Sequence, residues 1–421
     1  MDQKPALWIA LLLAAVVLAA IAGAGVMTLG ANNTEKTLMP GTSQGSGADS
    51  RDLFPDKVYP EYATGYSVEY HGTYKVVQIH DPWGRSSQNH TYLLVQRGET
   101  VPEGYPGARV FTIPVTSVIT LSSVHVPNIQ ELNETLSVKG HNQIQLLHGE
   151  EIRQLAREGK IAEVGSGSLG MNNLLRTETM IELEPDVVFC TANGNAEYDK
   201  QPKLLEAGLN PAITAEWMES HPLGRSEWIK YFSLFYNKEK TANEVFGRIS
   251  SNYTAIADIA KNATSKPTLF SGIEYQGTWS APAGGSYVAI LFHDAGGDYI
   301  LGNNGGYGSN TFDFESVYDQ AQGADFWINT GNGVSIEEIL ALDSRYAKFR
   351  AFQLGNVYQF NARVNEFGGN DYWQSGVVHP DIILADLVKI LHPELLPDHD
   401  FYYYRHLATN QTDRVLRIEE T

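Results

Sequence analysis

Residues 221–230, His-Pro-Leu-Gly-Arg-Ser-Glu-Trp-Ile-Lys, open a helical stretch that divides the chain into two halves of one grammar, and this division constrains the fold more than any other feature. Upstream, Thr179-Met-Ile-Glu-Leu-Glu-Pro-Asp-Val-Val-Phe reads as a helix end, a Pro-Asp turn and a short buried strand. Downstream, Glu315 to Asn329 repeats the pattern, with a helix to Gln322, a Gly323-Ala-Asp turn and a strand at Phe326-Trp-Ile. A strand-helix unit duplicated about a helical spacer predicts an α/β protein of two lobes with a cleft between them. In the spacer, Trp228, Tyr231, Phe232 and Phe235 recur at helical spacing. Asn237-Lys-Glu then breaks the run, and Ala242, Val245, Phe246, Ile249, Tyr253, Ile256 and Ala260 form a second stripe. Both helices are expected to be amphipathic, each covering a sheet or joining the lobes.

Other segments fill in this plan. Tyr66-Ser-Val-Glu-Tyr, Tyr74-Lys-Val-Val-Gln-Ile and Tyr92-Leu-Leu-Val alternate apolar and polar residues, which predicts a small β-rich elaboration on the first lobe. Ser117-Val-Ile-Thr-Leu is a buried strand, and Ser122-Ser-Val-His125 falls where a βα loop belongs; ligands of open α/β sheets sit beyond the carboxyl ends of strands, so this loop is a cleft candidate. Ser335-Ile-Glu-Glu338 is a capping box. Pro380 starts a helix whose stripe is Ile383, Leu387, Ile390 and Leu391. The resulting division is an apolar signal or anchor over 1–30, a tether over 31–60, the β-rich elaboration over 61–112, the first lobe over 113–220, the bridge over 221–262 and the second lobe over 263–421.

From Pro5 to Leu29 no residue is charged, and the run is long enough to cross a hydrocarbon core, which needs roughly 20 residues. Ala22-Gly23-Ala24 resembles a signal-peptidase site. The run nevertheless exceeds an ordinary signal h-region and is followed by a Gly-, Ser- and Thr-rich stretch, so it reads as a retained anchor with a flexible tether. The sole cysteine, Cys190, ends an apolar strand, which leaves no disulfide framework and no cysteine just after the apolar run to carry a lipid. Sequons at Asn32, Asn89, Asn133, Asn252, Asn262 and Asn410 suit glycosylation of an exported chain in a cell that performs it. A formal charge of −19 argues against nucleic acid or anionic lipid as a partner.

Motifs for chemistry are absent. There is no Gly-x-Ser-x-Gly elbow and no phosphate-binding Gly-x-x-x-x-Gly-Lys loop; Gly165-Ser-Gly-Ser-Leu-Gly170 follows no clear strand and reads as a cleft loop. Among the 12 histidines, His125, His293 and His379 are the set that convergence would turn into a metal site, yet no His-x-x-x-His or His-Glu-x-x-His pair occurs. Asp294-Ala-Gly-Gly-Asp298 lacks a calcium-loop pattern. The expectation is a binding protein, not an enzyme, without an intrinsic cofactor.

Taken in order, Ile119-Thr-Leu-Ser-Ser-Val-His, Gly170-Met-Asn, Glu178, Leu183-Glu-Pro-Asp-Val-Val, Pro222-Leu-Gly-Arg-Ser-Glu-Trp-Ile-Lys, Asp294-Ala-Gly-Gly-Asp-Tyr, Ala324-Asp-Phe-Trp-Ile-Asn, Asn370-Asp-Tyr-Trp and Pro380-Asp-Ile-Ile-Leu-Ala-Asp-Leu resemble the iron-chelate and cobalamin class of substrate-binding proteins that serve ABC importers. The resemblance runs from about Ile113 to His406. It implies two α/β lobes joined by a long stiff helix, a shallow cleft, modest closure on an iron chelate or corrinoid, and delivery to a permease with its ATPase by a monomer. It also implies that a carboxylate on each lobe meets permease arginines, and Glu178 and Glu315 fall on the matching positions. Without it, both would be read as acids favoured at helix starts. A cleft for large flat chelates calls for aromatics and a few polar groups. The candidates are Ser123, His125, Met171 and Asn172 from the first lobe and Trp279, Tyr287, Tyr307 and Trp373 from the second. Trp279 and Tyr307 stand among Gly, Ser, Pro and Asn, where loops are expected. The β-rich elaboration and the missing lipid-anchor cysteine depart from the commonest pattern of the class. A binder of free Zn or Mn ions and a surface adhesion module are the rival readings.

Overall fold

The computed structural model describes residues 51–80, 89–166, 174–191, 199–303, 305–331 and 335–408. The apolar run over Pro5–Leu29, Met171, Asn172, and the sequons at Asn32 and Asn410 lie outside the described residues. Among the described residues no helix is long and apolar enough to cross a membrane.

A four-stranded sheet comes first, formed by β1 (Tyr66–His71), β2 (Tyr74–Ile79), β3 (His90–Gln96) and β4 (Arg109–Ile113) in that order. β1 to β3 are antiparallel neighbours, whereas β4 lies parallel to β3. The first lobe holds β5 (Val118–Thr120), β6 (Val138–His141), β7 (Ala162–Glu163), a two-stranded ribbon of β8 (Gly165–Ser166) and β9 (Leu174–Leu175), then β10 (Val187–Thr191) and β11 (Pro211–Thr214). Its main sheet runs β11-β10-β5-β6-β7 and is parallel throughout.

The second lobe contains β12 (Thr268–Ser271), β13 (Ile273–Tyr275), β14 (Thr278–Pro282), β15 (Asp298–Tyr299), β16 (Ser309–Phe312), β17 (Phe326–Ile328), β18 (Val357–Gln359) and β19 (Arg405–His406). Its main sheet, β15-β12-β17-β18-β19, is parallel apart from β19, and β13-β14-β16 form a small antiparallel sheet beside it.

The repeated grammar has a physical counterpart. Asp186, just before β10, accepts hydrogen bonds from the backbone N–H groups of Thr116 (2.6 Å) and Ser117 (3.1 Å), which lead into β5. Asp325, just before β17, does the same for the N–H of Thr268 (2.9 Å) at the start of β12. In each lobe the aspartate of the turn closes the amino edge of the neighbouring parallel strand, whose leading amides have no ladder partner there. The arginine of Arg350 beside Asp325 and these hydrogen bonds hold the Asp325 carboxyl below its ordinary range against the opposing effect of burial.

The bridge is a relay of helices at Pro222–Ser226, Trp228–Tyr236 and Glu239–Ala260, the last 22 residues long. Contrary to the amphipathic expectation, every residue of Trp228–Tyr236 is buried. The helix is sandwiched: Trp228 and Tyr231 meet Tyr66 of β1, Phe235 meets Phe111 of β4, and Phe232 and Phe235 meet Phe189 of β10. A helix covered on all sides needs no polar face. One continuous hydrophobic core therefore runs from the first sheet through the first lobe and the bridge to the inner side of the second lobe. A second core fills the far side of the second lobe.

The tether expected over 31–60 ends earlier, because Phe54 and Val58 are 2% and 1% exposed and belong to the core. From there the chain forms a strap along the bridge. Asn243 donates to the carbonyl of Lys57 (2.9 Å) and Lys230 to that of Tyr59 (3.1 Å). Buried Glu227 accepts from the N–H groups of Glu61, Tyr62 and Ala63 and from Lys230, while Glu219 accepts from those of Thr64 and Gly65 and from the Trp228 indole. The first sheet is tied down by Lys75, which is buried, donates to Leu234 O and Asn237 Oδ1 (both 2.8 Å) and pairs with Glu239. Burial pulls this ammonium down to about 8, with Glu239 opposing the shift.

Candidate functional site

Both main sheets are parallel, so their carboxyl edges are the natural ligand side. At the first lobe's edge the polar residues are turned inward. His125 does not line a loop: it begins a helix, is fully buried, and its Nε2 lies 2.9 Å from Thr214 Oγ1 at the end of β11. His141, at the end of β6, is equally buried, with Nδ1 2.8 Å from Thr120 Oγ1. Burial pushes both imidazoles down to about 3, so they are neutral. This corrects the assignment of His125 to the cleft: packing against Phe189 and Phe232, together with a partner on a distant strand, makes it a core residue. Ser123, in the turn just before, is half-buried.

Trp279 is the second correction. It lies on β14, is fully buried, donates its indole N–H to Ser271 O (3.0 Å) and packs among Phe270, Trp327, Tyr346 and Phe349. The Gly-, Ser- and Pro-rich surroundings belong to an antiparallel ribbon, in which Trp279 and Ala281 alternate inward. Tyr307 is 73% exposed. Trp373 is half-buried and stands edge-on to Phe360 (5.2 Å) and Tyr372 (4.9 Å). Tyr287 is half-buried at the start of its helix.

What the structure adds is Arg225. Its guanidinium lies 3.6 Å from the centroid of the Tyr287 ring and donates to the carbonyls of Glu219 and Trp217. Together with Pro222, Tyr372 and Gly376 the pair lines a partly open void of about 10 Å³, room for a single water. Arg225 forms no ion pair among the described residues. Buried Glu216 feels its charge without an ion-pair contact, and the guanidinium, fixed by carbonyls and stacked on an aromatic face, keeps donors suited to an anionic group. Burial raises the hydroxyls of Tyr287 and Tyr372, which therefore stay neutral donors. Arg225 lies inside the Pro222-Leu-Gly-Arg-Ser segment and Tyr372 inside Asn370-Asp-Tyr-Trp. Spacing alone does not single them out, since an arginine in the last turn of a helix ordinarily reads as solvated.

Glu178 and Glu315 occupy matching places, each exposed in the first turn of the helix preceding Asp186 or Asp325. The two acids differ in partnership. Glu315 lies 3.3 Å from Arg345, which also pairs with Asp343 and Glu274 and stacks on Phe314, whereas Glu178 forms no ion pair among the described residues.

The histidines proposed for a bare metal do not converge. His125 is in the first-lobe core, His293 is exposed beside Asp294, and His379 reaches across to Glu131 (3.0 Å). Among the described residues no group of three or more His, Cys, Asp or Glu could hold a metal ion.

Two parallel-sheet lobes on a helical bridge define a binding protein of the periplasmic type. The chain belongs to the periplasmic binding protein family, whose sequence model matches residues 153–364. An uncharacterized lipoprotein of Methanocaldococcus jannaschii is 30% identical over 329 residues, covering 74% of this chain and 75% of that protein. Among solved structures, a possible iron-binding (periplasmic solute-binding) protein from Staphylococcus epidermidis superposes with a TM-score of 0.52 at 14% identity, over 66% of this chain and 99% of that one. CeuE of Helicobacter pylori with Ni(II) bound gives 0.52 at 16% identity, over 72% and 92%. At these identities the structural likeness establishes the shared fold.

Proposed function

We propose that this protein is an extracytoplasmic substrate-binding protein that captures a metal chelate, an iron siderophore, haem or a corrinoid, and hands it to an ABC-type permease without altering it. The observation that carries this reading is Arg225, held by carbonyls and stacked on Tyr287 without a direct ion-pair contact among the described residues, on a two-lobe scaffold. The possible iron-binding protein of Staphylococcus epidermidis and the Ni(II)-bound CeuE support a metal-containing ligand. A relative is named a lipoprotein. Here Cys190 is buried in β10 and burial pushes its thiol up to about 12, so attachment falls to the apolar N-terminal segment.

Titration of the full chain with haem, ferric siderophores and cobalamin, followed by tryptophan fluorescence and visible absorption, is expected to show saturable binding of one of them. Arg225→Ala should weaken it by about 10- to 100-fold, the range for losing a hydrogen bond to a charged group. A response to Zn or Mn ions alone would transfer the protein to the metal-ion reading.

Docking provides a separate test. Glu178→Ala should leave ligand affinity intact but lower ligand-stimulated ATPase activity of the reconstituted permease. Glu315→Ala should have the smaller effect, because Arg345 already neutralises part of its charge. Equal stimulation by wild type and both variants would return the two acids to plain helix-start residues.

A further inference from the structure

We propose that residues 365–374 of the second lobe are a clasp that locks the two lobes together at one end of the cleft, so that ligand is captured in a gap of fixed width. The chain leaves the carboxyl edge of the first sheet after β6 and runs through residues 142–149. It leaves the second sheet after β18 and folds into a hairpin closed by the Val364–Asn370 bridge and by Asn365 N–H donating to Gly369 O (2.8 Å). Hydrogen bonds between these two segments therefore span the gap between the lobes.

They are dense and mostly half-buried. Gln374, 3% exposed, accepts from the N–H of His148 (3.1 Å) and donates to Leu146 O (2.7 Å), so both ends of its amide are used across the gap. His148 Nε2 lies 2.8 Å from Gly369 O, and Asn365 Nδ2 donates to Gln145 O (3.0 Å). The backbones touch: a Cβ on Gly369 would stand 2.2 Å from Leu146 O. The exposed Arg153–Glu366 pair lies at the rim, where little stability is expected of it.

The clasp joins β6 to β18. Arg225 and Tyr287 border a void whose wall includes Tyr372 of the clasp itself, so the clasp and the arginine site adjoin. Gln374 immediately follows Trp373, so the clasp also fixes where that aromatic wall stands. Gln374 and His148 act as positioning residues. The inference takes its purpose from the binding-protein reading, yet its test uses no ligand and the two can fail separately.

Nitroxide labels on Glu206→Cys and Asp319→Cys, both exposed and on different lobes, would report lobe separation by pulsed electron paramagnetic resonance on the full chain in detergent; Cys190 is buried and does not compete for label. The wild-type clasp predicts one narrow distance. Gln374→Ala combined with His148→Ala should broaden it and raise amide exchange at Leu147 and His148 at least tenfold. If that double variant fails to fold, His148→Ala alone should give a smaller broadening in the same direction. A folded variant with the wild-type distribution, or a wild-type distribution already broad, overturns the proposal.

Discussion

Trp279→Ala is expected to destabilise the second lobe by about 3–5 kcal/mol, the range for truncating a large buried aromatic. The indole is fully buried, its ring lies about 6 Å from those of Phe270, Trp327, Tyr346 and Phe349, and its N–H is the donor to Ser271 O. Truncation would leave a cavity in the core that supports β12 and β17 and strip a carbonyl of its partner. Tyr307→Ala, at an exposed position in a nearby glycine-rich segment, should change stability by less than about 0.5 kcal/mol. Urea denaturation of the two variants, followed by circular dichroism, separates the cases. A Trp279→Ala midpoint equal to wild type would restore that residue to the ligand wall.

Acid should loosen the first lobe well before carboxylates titrate. His125 and His141 are pushed down to about 3 from an ordinary value of 6.5 by burial, with their mutual repulsion adding to the shift of His125. A group whose folded value is depressed binds protons more readily in the unfolded chain. Stability is therefore fully present above pH 6.5 and is lost as pH falls toward 3. At pH 5 the loss is about 2 kcal/mol for each histidine, at roughly 1.4 kcal/mol per pH unit. Glu216, buried nearby with its carboxyl raised by burial, takes up its proton early and offsets part of this at lower pH. Chemical denaturation at pH 7 and pH 5 should show a difference of about 4 kcal/mol, shrinking by about half in a folded His141→Leu variant. Equal stability at the two pH values would refute the neutral buried pair.

How much could be read beforehand depended on how local the determining interactions are. The duplicated turn aspartates, Asp186 and Asp325, and the helices before them were legible because a turn residue and its helix are neighbours in sequence. The two-lobe layout followed from them. The ring stripe at Trp228, Tyr231, Phe232 and Phe235 revealed a helix but not its burial on every side, since the covering sheet of β1 to β4 arrives from far upstream. His125 was misplaced for a similar reason: the hydroxyl it meets, Thr214, is 89 positions away. Trp279 was misread because glycine and proline mark turns as readily in a small antiparallel sheet as in a loop. The alternation of Trp279 and Ala281 was the signal that would have corrected it. The clasp was invisible for want of any local pattern: its bonds join side-chain amides to carbonyls over more than two hundred positions.

The strap from Phe54 to Gly65 has a mechanical meaning. A load applied to the chain ahead of Arg51 would first meet the four-stranded sheet, where Arg51 pairs with Glu99 and the Leu53 N–H donates to Gly72 O, and then Glu227, Glu219, Lys230 and Asn243 at or beside the bridge. Part of any such load would fall on the amides of Glu61 to Gly65, which donate to the carboxylates of Glu227 and Glu219. A pull from that side would thus meet the strap and the bridge before the carboxyl edges of the two main sheets.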